Sequence, residues 1–221
     1  MWSKVTIDTD NSKNIYKDGE TTFVKPGGSI TFDLKDHSEY NKVNVKASNL
    51  DSNSFDNKIS IPASTPSKDI VGKFFLSTTD DTATKSEEFD IPSGFKVDAD
   101  APVVEFTSGS KIFASIFNAG TTKFSNNDEA VKFSKANGKD GYVLSLSSKD
   151  GESGLKSIKY SVVKITSDAD AKQKIQEAAL SDDTSWESVK NNTIAVGGTN
   201  EGYYIVIVKV KDNVGNEAVY A

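Results

Sequence analysis

The 221-residue chain contains no cysteine. Disulfide bonds and thiolate metal sites are therefore excluded, and stability has to come from apolar burial and backbone hydrogen bonds. Arginine is absent too, so all 26 basic residues are lysine. Arginine is the side chain best suited to bidentate recognition of phosphates and base edges. Together with a net charge of −6, its absence argues against nucleic acid as a partner.

Long apolar segments are missing as well. The sequence has no run of about 18–20 consecutive apolar residues, the length that crosses a bilayer as a helix, so we expect no direct membrane insertion. Met1 to Lys4 also lack the basic and then apolar order of a secretory signal. A strand pattern already begins at Val5, and residues 218–221 are predicted to lie within another strand. We therefore expect the chain to be a piece excised from a longer protein.

The chain is rich in short apolar runs separated by turn-forming residues. Apolar residues make up 36%, below the share of about 45–50% in typical globular proteins, and Ser, Thr, Asn, Asp and Gly fill the gaps. This composition is typical of an all-β fold. Strands are predicted at residues 4–8, 21–25, 29–34, 42–47, 58–61 and 70–78, and again at residues 102–107, 141–147, 155–166 and 201–211.

One segment, Ser167 to Leu180, breaks the strand pattern. A capping serine and an acidic first turn precede apolar residues at helical spacing. These apolar residues are Ala171, Ile175, Ala178, Ala179 and Leu180. The pattern predicts a short helix followed by a turn around Trp186 to Val189, so the helical insertion covers about residues 167–190.

The last strong strand is apolar on both faces. Tyr204, Val206, Val208 and Val210 share one face by the period-two alternation of a strand and are predicted to lie in the core. The opposite face carries Tyr203, Ile205 and Ile207, which is unusual for a sheet with one solvated face. Packing of the predicted helix on that face is the simpler explanation, and a ligand groove is the alternative.

The length and an internal repeat predict two domains. A chain of this size fits two sandwiches of about 100 residues each. Phe74 to Lys85 align with Val206 to Glu217, each an alternating strand that runs into an acidic turn. A strand that ends at Val97 meets Pro102, which marks the start of the next. We therefore predict domains at residues 1–98 and 99–221, joined by a short linker that restricts motion.

Three motifs of the second half resemble the bacterial immunoglobulin-like repeats of extracellular surface proteins. They are Asp150-Gly-Glu-Ser-Gly-Leu155, Glu201-Gly-Tyr-Tyr-Ile-Val206 and Asp212-Asn-Val-Gly-Asn216. The first domain keeps the strand and its acidic turn but lacks the glycine and asparagine, and is similar to a divergent relative. The resemblance implies an all-β pair of tandem immunoglobulin-like β-sandwiches, the second with the helical insertion.

The same resemblance sets the functional expectation. It implies a non-catalytic spacer or stalk module of a secreted or cell-wall protein, whose partners are neighbouring domains of that protein. The alternative is an adhesive or carbohydrate-binding module that contacts a host glycan or matrix protein. A third, less favoured hypothesis is an accessory domain of a secreted glycoside-active enzyme. Because one fold serves many functions, the resemblance alone does not choose among them.

Calcium is the only cofactor that the residues suggest. Ca²⁺ takes six to eight oxygen ligands from carboxylates and carbonyls, and acidic turns gather near the predicted domain junction. The candidate ligands are Asp98, Asp100, Asp150, Glu152, Asp212 and Asn213. Their spacing matches no EF-hand or other closed ligand set, so ordinary Asx turns without metal are the simpler explanation. Gly215 is expected to adopt a positive φ in such a turn.

Catalytic constellations are weak. The only histidine, His37, lies in a polar loop without the partners of a Ser/His/Asp triad. No pair of acids stands out for glycoside hydrolysis. Trp2 and Trp186 are predicted to plug the core rather than to stack on sugars. An isopeptide crosslink from a buried lysine has its ingredients but no signature. We expect no enzyme activity.

Overall fold

A computed structural model describes residues 4–35, 39–51, 55–78, 86–108, 111–113, 116–117, 142–181, 186–196 and 203–221. The chain forms two compact units. The first consists of residues 1–100 with residues 213–215, and the second of residues 101–212 with residues 216–221. The described residues form β-strands and a single α-helix, which confirms the predicted all-β class. Among them, no helix is long and apolar enough to cross a membrane.

The described residues of the first unit form eight strands. They are β1 (Val5–Asp18), β2 (Thr21–Leu34), β3 (Lys42–Ala47), β4 (Lys58–Ser60), β5 (Lys68–Asp69), β6 (Gly72–Ser77), β7 (Ser86–Asp90) and β8 (Phe95–Val97). One sheet has the order β1-β2-β8-β5, with β4 also paired to β2, and the other has the order β3-β6-β7. Apolar side chains of both sheets share one core. At its centre the ring of Phe32 on β2 meets that of Phe74 on β6 edge to face, with centroids 4.9 Å apart.

The segment Pro26-Gly27-Gly28 does not end a strand, so the prediction of separate strands at residues 21–25 and 29–34 is wrong. Strand β2 runs through it and pairs with a β1 that extends to Asp18. The register jumps there, because Lys13 lies opposite Ser29 and Ile15 opposite Val24. Residues 25–28 thus form a bulge, one of the few places where a sheet accepts proline.

In the second unit, the part of the chain that the structure describes forms nine strands and the helix. They are β9 (Val103–Ser108), β10 (Lys111–Phe113), β11 (Ile116–Phe117), β12 (Tyr142–Lys149), β13 (Leu155–Ile165), α1 (Asp168–Leu180), β14 (Glu187–Ser188), β15 (Thr193–Val196), β16 (Tyr203–Asp212) and β17 (Glu217–Tyr220). One sheet has the order β10-β9-β12-β15 and the other β11-β17-β16-β13-β14. Buried residues from both sheets, including Val104, Leu146, Ile194 and Val208, form the core.

The two units share a pairing pattern. In the first, β6 lies between β3 and β7, and in the second, β16 lies between β13 and β17, all antiparallel. Phe74 and Leu76 of β6 are buried, as are Val206, Val208 and Val210 of β16. The internal repeat therefore corresponds to central strands in equivalent positions. Two sheets built around such a three-strand arrangement are the architecture of immunoglobulin-like sandwiches.

The predicted helix is present, and its cap is the predicted serine. Ser167 Oγ accepts a hydrogen bond from Asp170 N at 3.2 Å. Asp170 in turn accepts from Thr166 N at 2.8 Å, and this backbone hydrogen bond lowers the pKa of the Asp170 carboxyl. The reciprocal bonds satisfy amide groups at the start of the helix.

The helix packs on the outer face of β16, as predicted from the apolar residues there. Ile175, Trp186, Ile207 and Val219 form a second buried cluster on that side. Two details of the prediction are wrong. Leu180 was expected on the apolar face but is 84% exposed, because the helix ends there. The expected turn at residues 186–189 contains β14, which pairs with β13.

Candidate functional site

The first acidic turn of the second unit, Asp150 to Gly154, precedes β13. Asp150 Oδ2 accepts a hydrogen bond from Gly154 N, four residues ahead. Gly154 has a φ of 83°, a conformation that glycine adopts without the steric penalty of a side chain. The aspartate and the glycine therefore have a structural role in closing this turn.

The second acidic turn, Asp212 to Asn216, joins β16 to β17 and is built in the same way. Asp212 Oδ1 accepts from Asn216 N at 2.7 Å, and Oδ2 accepts from Asn216 Nδ2 at 2.7 Å. Asp212 is completely buried, so these bonds offset the cost of placing its carboxylate away from water. Gly215 has a φ of 95°, which confirms the positive φ predicted for it.

Strand register brings the starts of the two turns together. Leu155, the first residue of β13, lies opposite Asp212, the last residue of β16. One carboxylate oxygen of Asp150 consequently lies within 4.8 Å of one of Asp212. Carboxylate oxygens are the ligands that a hard cation such as Ca²⁺ takes, so two such oxygens at this distance are candidate ligands.

The other candidate ligands of the second half are more peripheral. Glu152 is exposed within the first turn, and Asn213 is half-buried in the second. The acidic motifs thus supply one buried and one half-buried carboxylate in the second unit, short of the six to eight oxygens that Ca²⁺ takes.

Asp98 and Asp100 lie at the end of the first unit, where hydrogen bonds hold the backbone to that sandwich. Asp98 is completely buried, and its N donates to Val24 O at 3.0 Å. Ala99 N donates to Ser67 Oγ at 2.9 Å, and Ser67 Oγ donates to Asp100 Oδ2 at 2.5 Å. Both acids therefore lie on a segment that is anchored in place.

A buried lysine beside the helix is a feature that the sequence did not reveal. Only 7% of the Lys209 side chain is exposed. Its Nζ lies 3.1 Å from Ser181 O, 3.5 Å from Glu217 Oε1 and 5.3 Å from the centroid of the Trp186 ring. A cation at this place interacts favourably with the carbonyl end of α1 and with the ring. Its contacts fix the end of the helix insertion.

Of the two tryptophans and the histidine, Trp186 lies within the described residues. Trp186 is 8% exposed, and its Nε1 donates to Ser181 Oγ at 2.9 Å. This confirms the prediction that Trp186 is a core residue. Trp2 and His37 lie outside the described residues. The side chain of Tyr204, predicted to lie in the core, is also outside what the structure describes.

Comparisons with known proteins give little to extend these observations. No protein-family model matches the chain, and no curated protein matches it in sequence. A solved structure of fibronectin(III)-like modules of CbhA from Clostridium thermocellum covers 98% of this chain and 90% of its own length, with 12% sequence identity and a TM-score of 0.38. At this level of likeness it carries no argument about function.

Proposed function

We propose that the chain is a non-catalytic pair of immunoglobulin-like modules that serves as a spacer or stalk in a bacterial extracellular surface protein. The observation that carries the proposal is how the segment between the units is held. Residues 98–100 are hydrogen-bonded to the first sandwich through Val24 and Ser67. In the second unit, Pro102 is buried, and its carbonyl oxygen accepts from Tyr220 Oη at 2.9 Å. A spacer that keeps its length needs such anchored ends.

Nuclear spin relaxation of backbone amides tests the spacer role. We expect the two units to share one rotational correlation time, and insertion of six Gly and Ser residues between Asp100 and Ala101 to separate their correlation times. Ser67→Ala removes the hydrogen bonds that hold Ala99 and Asp100, and it should separate the two correlation times less than the insertion does. A native chain whose units tumble as independently as those of the insertion variant would contradict the proposal.

The adhesive module remains the second candidate, and loops at one end of a sandwich are the usual place for such binding. A screen against host matrix proteins and glycans discriminates the two roles. An enzyme is disfavoured because a single histidine and no cysteine are available as base or nucleophile. Turnover of a glycoside substrate would overturn that part of the proposal.

We also propose that Asp150 and Asp212 bind Ca²⁺ and that the ion stabilises the folded second unit. Two neighbouring carboxylates repel each other when both are ionised, and a divalent cation removes that repulsion. Because the ion would bind only the folded state, Ca²⁺ should raise the melting temperature. Asp98 and Asp100 as further ligands stay a prediction from sequence.

Calorimetry with Ca²⁺ and with EDTA tests the calcium proposal. The native chain should melt at a higher temperature in Ca²⁺, and Asp150→Asn or Asp212→Asn should abolish the difference. Glu105→Gln, which removes a charge from an exposed position on β9, is the control and should keep it. Asp98→Asn and Asp100→Asn test the two further ligands. Identical traces of the native chain in Ca²⁺ and EDTA would leave these acids as turn formers.

A further inference from the structure

The outer face of the sheet β3-β6-β7 carries a group of side chains that the spacer function does not use. Phe74 and Leu76 of β6 point into the core, so Lys73 and Phe75 lie on the opposite face. Phe75 lies opposite Asn44 on β3 and opposite Glu88 on β7. Asn44, Phe75 and Glu88 therefore form a row across the three strands. We call these residues, with Lys73 and Phe55, the outer-face patch.

Aromatic rings form the apolar part of the patch. Phe55 is 56% exposed, and its ring centroid lies 5.1 Å from that of Phe75 at an interplanar angle of 64°. The half-buried Phe75 holds the Phe55 ring edge to face, which is a favoured geometry for an aromatic pair. The Phe55 ring is therefore an apolar surface in contact with water, and covering it with an apolar group would be favourable.

Beside the rings lies a polar group without a partner. Asn44 is only 7% exposed, and no hydrogen bond joins its side-chain amide to the residues that the structure describes. Its amide atoms are not among the fully buried polar atoms without a partner, so they reach the surface of the patch. A ligand there can both accept from and donate to this amide. The side chain therefore points to a ligand that carries both donors and acceptors.

The charges of the patch compensate each other. Lys73 Nζ forms an ion pair with Glu88 Oε1, and hydrogen bonding to Glu88 raises the pKa of Lys73. Lys46 lies opposite Lys73 on β3 and Asp90 lies opposite it on β7, so charges of both signs alternate on this face. The face therefore does not select an ion of one sign, yet it offers ammonium donors and carboxylate acceptors. A neutral molecule that is rich in hydroxyl groups fits this combination.

We propose that the outer-face patch binds a neutral carbohydrate, a β-linked oligosaccharide of pyranose units with equatorial hydroxyls. The axial C–H groups of such a sugar form a flat apolar face that stacks on the Phe55 ring. Its hydroxyls reach Asn44, Glu88 and Lys73. A protein partner fits less well, because a stable protein interface buries about 800 Å² on each side. One exposed ring with a short row of polar groups matches one or two sugar units.

This binding activity does not depend on the spacer role. A chain that binds no sugar could still serve as a spacer. The relaxation experiment on the linker and the binding experiment described next therefore fail separately.

The test is a titration of the full chain with cellopentaose and with chitopentaose, followed by nuclear magnetic resonance and calorimetry. We expect the Asn44 side-chain amide and the Phe55 ring signals to shift on binding. Phe55→Leu keeps an apolar side chain but removes the ring, and should weaken binding by about tenfold or more. Phe55→Trp, which restores a ring, should bind as the native chain does or more tightly.

Two further variants complete the experiment. Asn44→Ala should weaken binding, with its melting temperature as a check on folding. Leu180→Ala, which removes a large exposed side chain from α1, is the matched control and should bind like the native chain. The proposal is overturned if both oligosaccharides bind more weakly than a dissociation constant of about 10 mM, or if Phe55→Leu binds as tightly as the native chain.

Discussion

Truncation of a central core valine gives a sharp test of the second sandwich. Val208 is completely buried on β16 and lies opposite Tyr160 on one side and Tyr220 on the other. Val208→Ala removes two carbon groups, each worth about 0.8 kcal/mol on burial. The cavity left behind adds up to about 1 kcal/mol if the neighbouring rings do not collapse into it. The free energy of unfolding should therefore fall by about 1.6–2.6 kcal/mol. Val206→Ala, at a slightly exposed position of the same face, should cost about 1–3 kcal/mol.

Urea unfolding followed by tryptophan fluorescence measures this change. In a Trp2→Phe background, Trp186 is the only tryptophan, so the signal reports the second unit. Val103→Ala is the matched control, because Val103 lies on β9 of the same unit and is 49% exposed. We expect the control to lose less than about 1 kcal/mol. Equal losses for Val208→Ala and Val103→Ala would refute the assignment of the inner face of β16.

Gly72→Ala and Glu87→Gln test the first unit, and Gly151→Ala in the second unit is the control for the added methyl group. Gly72→Ala should destabilise the first unit by about 1–3 kcal/mol, because an added Cβ would lie 2.1 Å from Lys46 O on the paired strand. Gly151→Ala, where a Cβ meets nothing within 4 Å, should be nearly neutral in thermal unfolding. Hydrogen bonding, to Lys4 first and then to Tyr40, lowers the pKa of Glu87. The stability that ionised Glu87 contributes to the fold is therefore fully present above the ordinary pKa of 4.5, and it is lost as the pH falls through the lowered pKa. Glu87→Gln should flatten that acid limb of the stability profile, and an unchanged limb would place the dependence on other groups.

The fold class could be predicted because it depends on local patterns. Alternation along β16 and the capping serine of α1 each specify their element without help from the rest of the chain. The error at Pro26 to Gly28 arose because proline and glycine usually end a strand. Whether they instead form a bulge depends on how closely the partner strand approaches, as the position of Gly28 illustrates. A Cβ there would lie 2.6 Å from Lys13 O on β1, so the glycine allows close approach within a continuous hairpin.

The features that could bear function required the register between strands. Alternation alone places Lys209 on the outward face of β16 with Ile207, where a lysine would normally be solvated. Its burial depends on α1 and Trp186 covering that face, which is a tertiary effect. The outer-face patch has the same origin, because Asn44, Phe75 and Glu88 are distant in sequence and meet only through the pairing of β3, β6 and β7. Phe55 stands outside those strands and is recognised only by its contact with Phe75. A sheet can therefore carry a binding face without any sequence motif, since each residue alone is typical of a strand or loop.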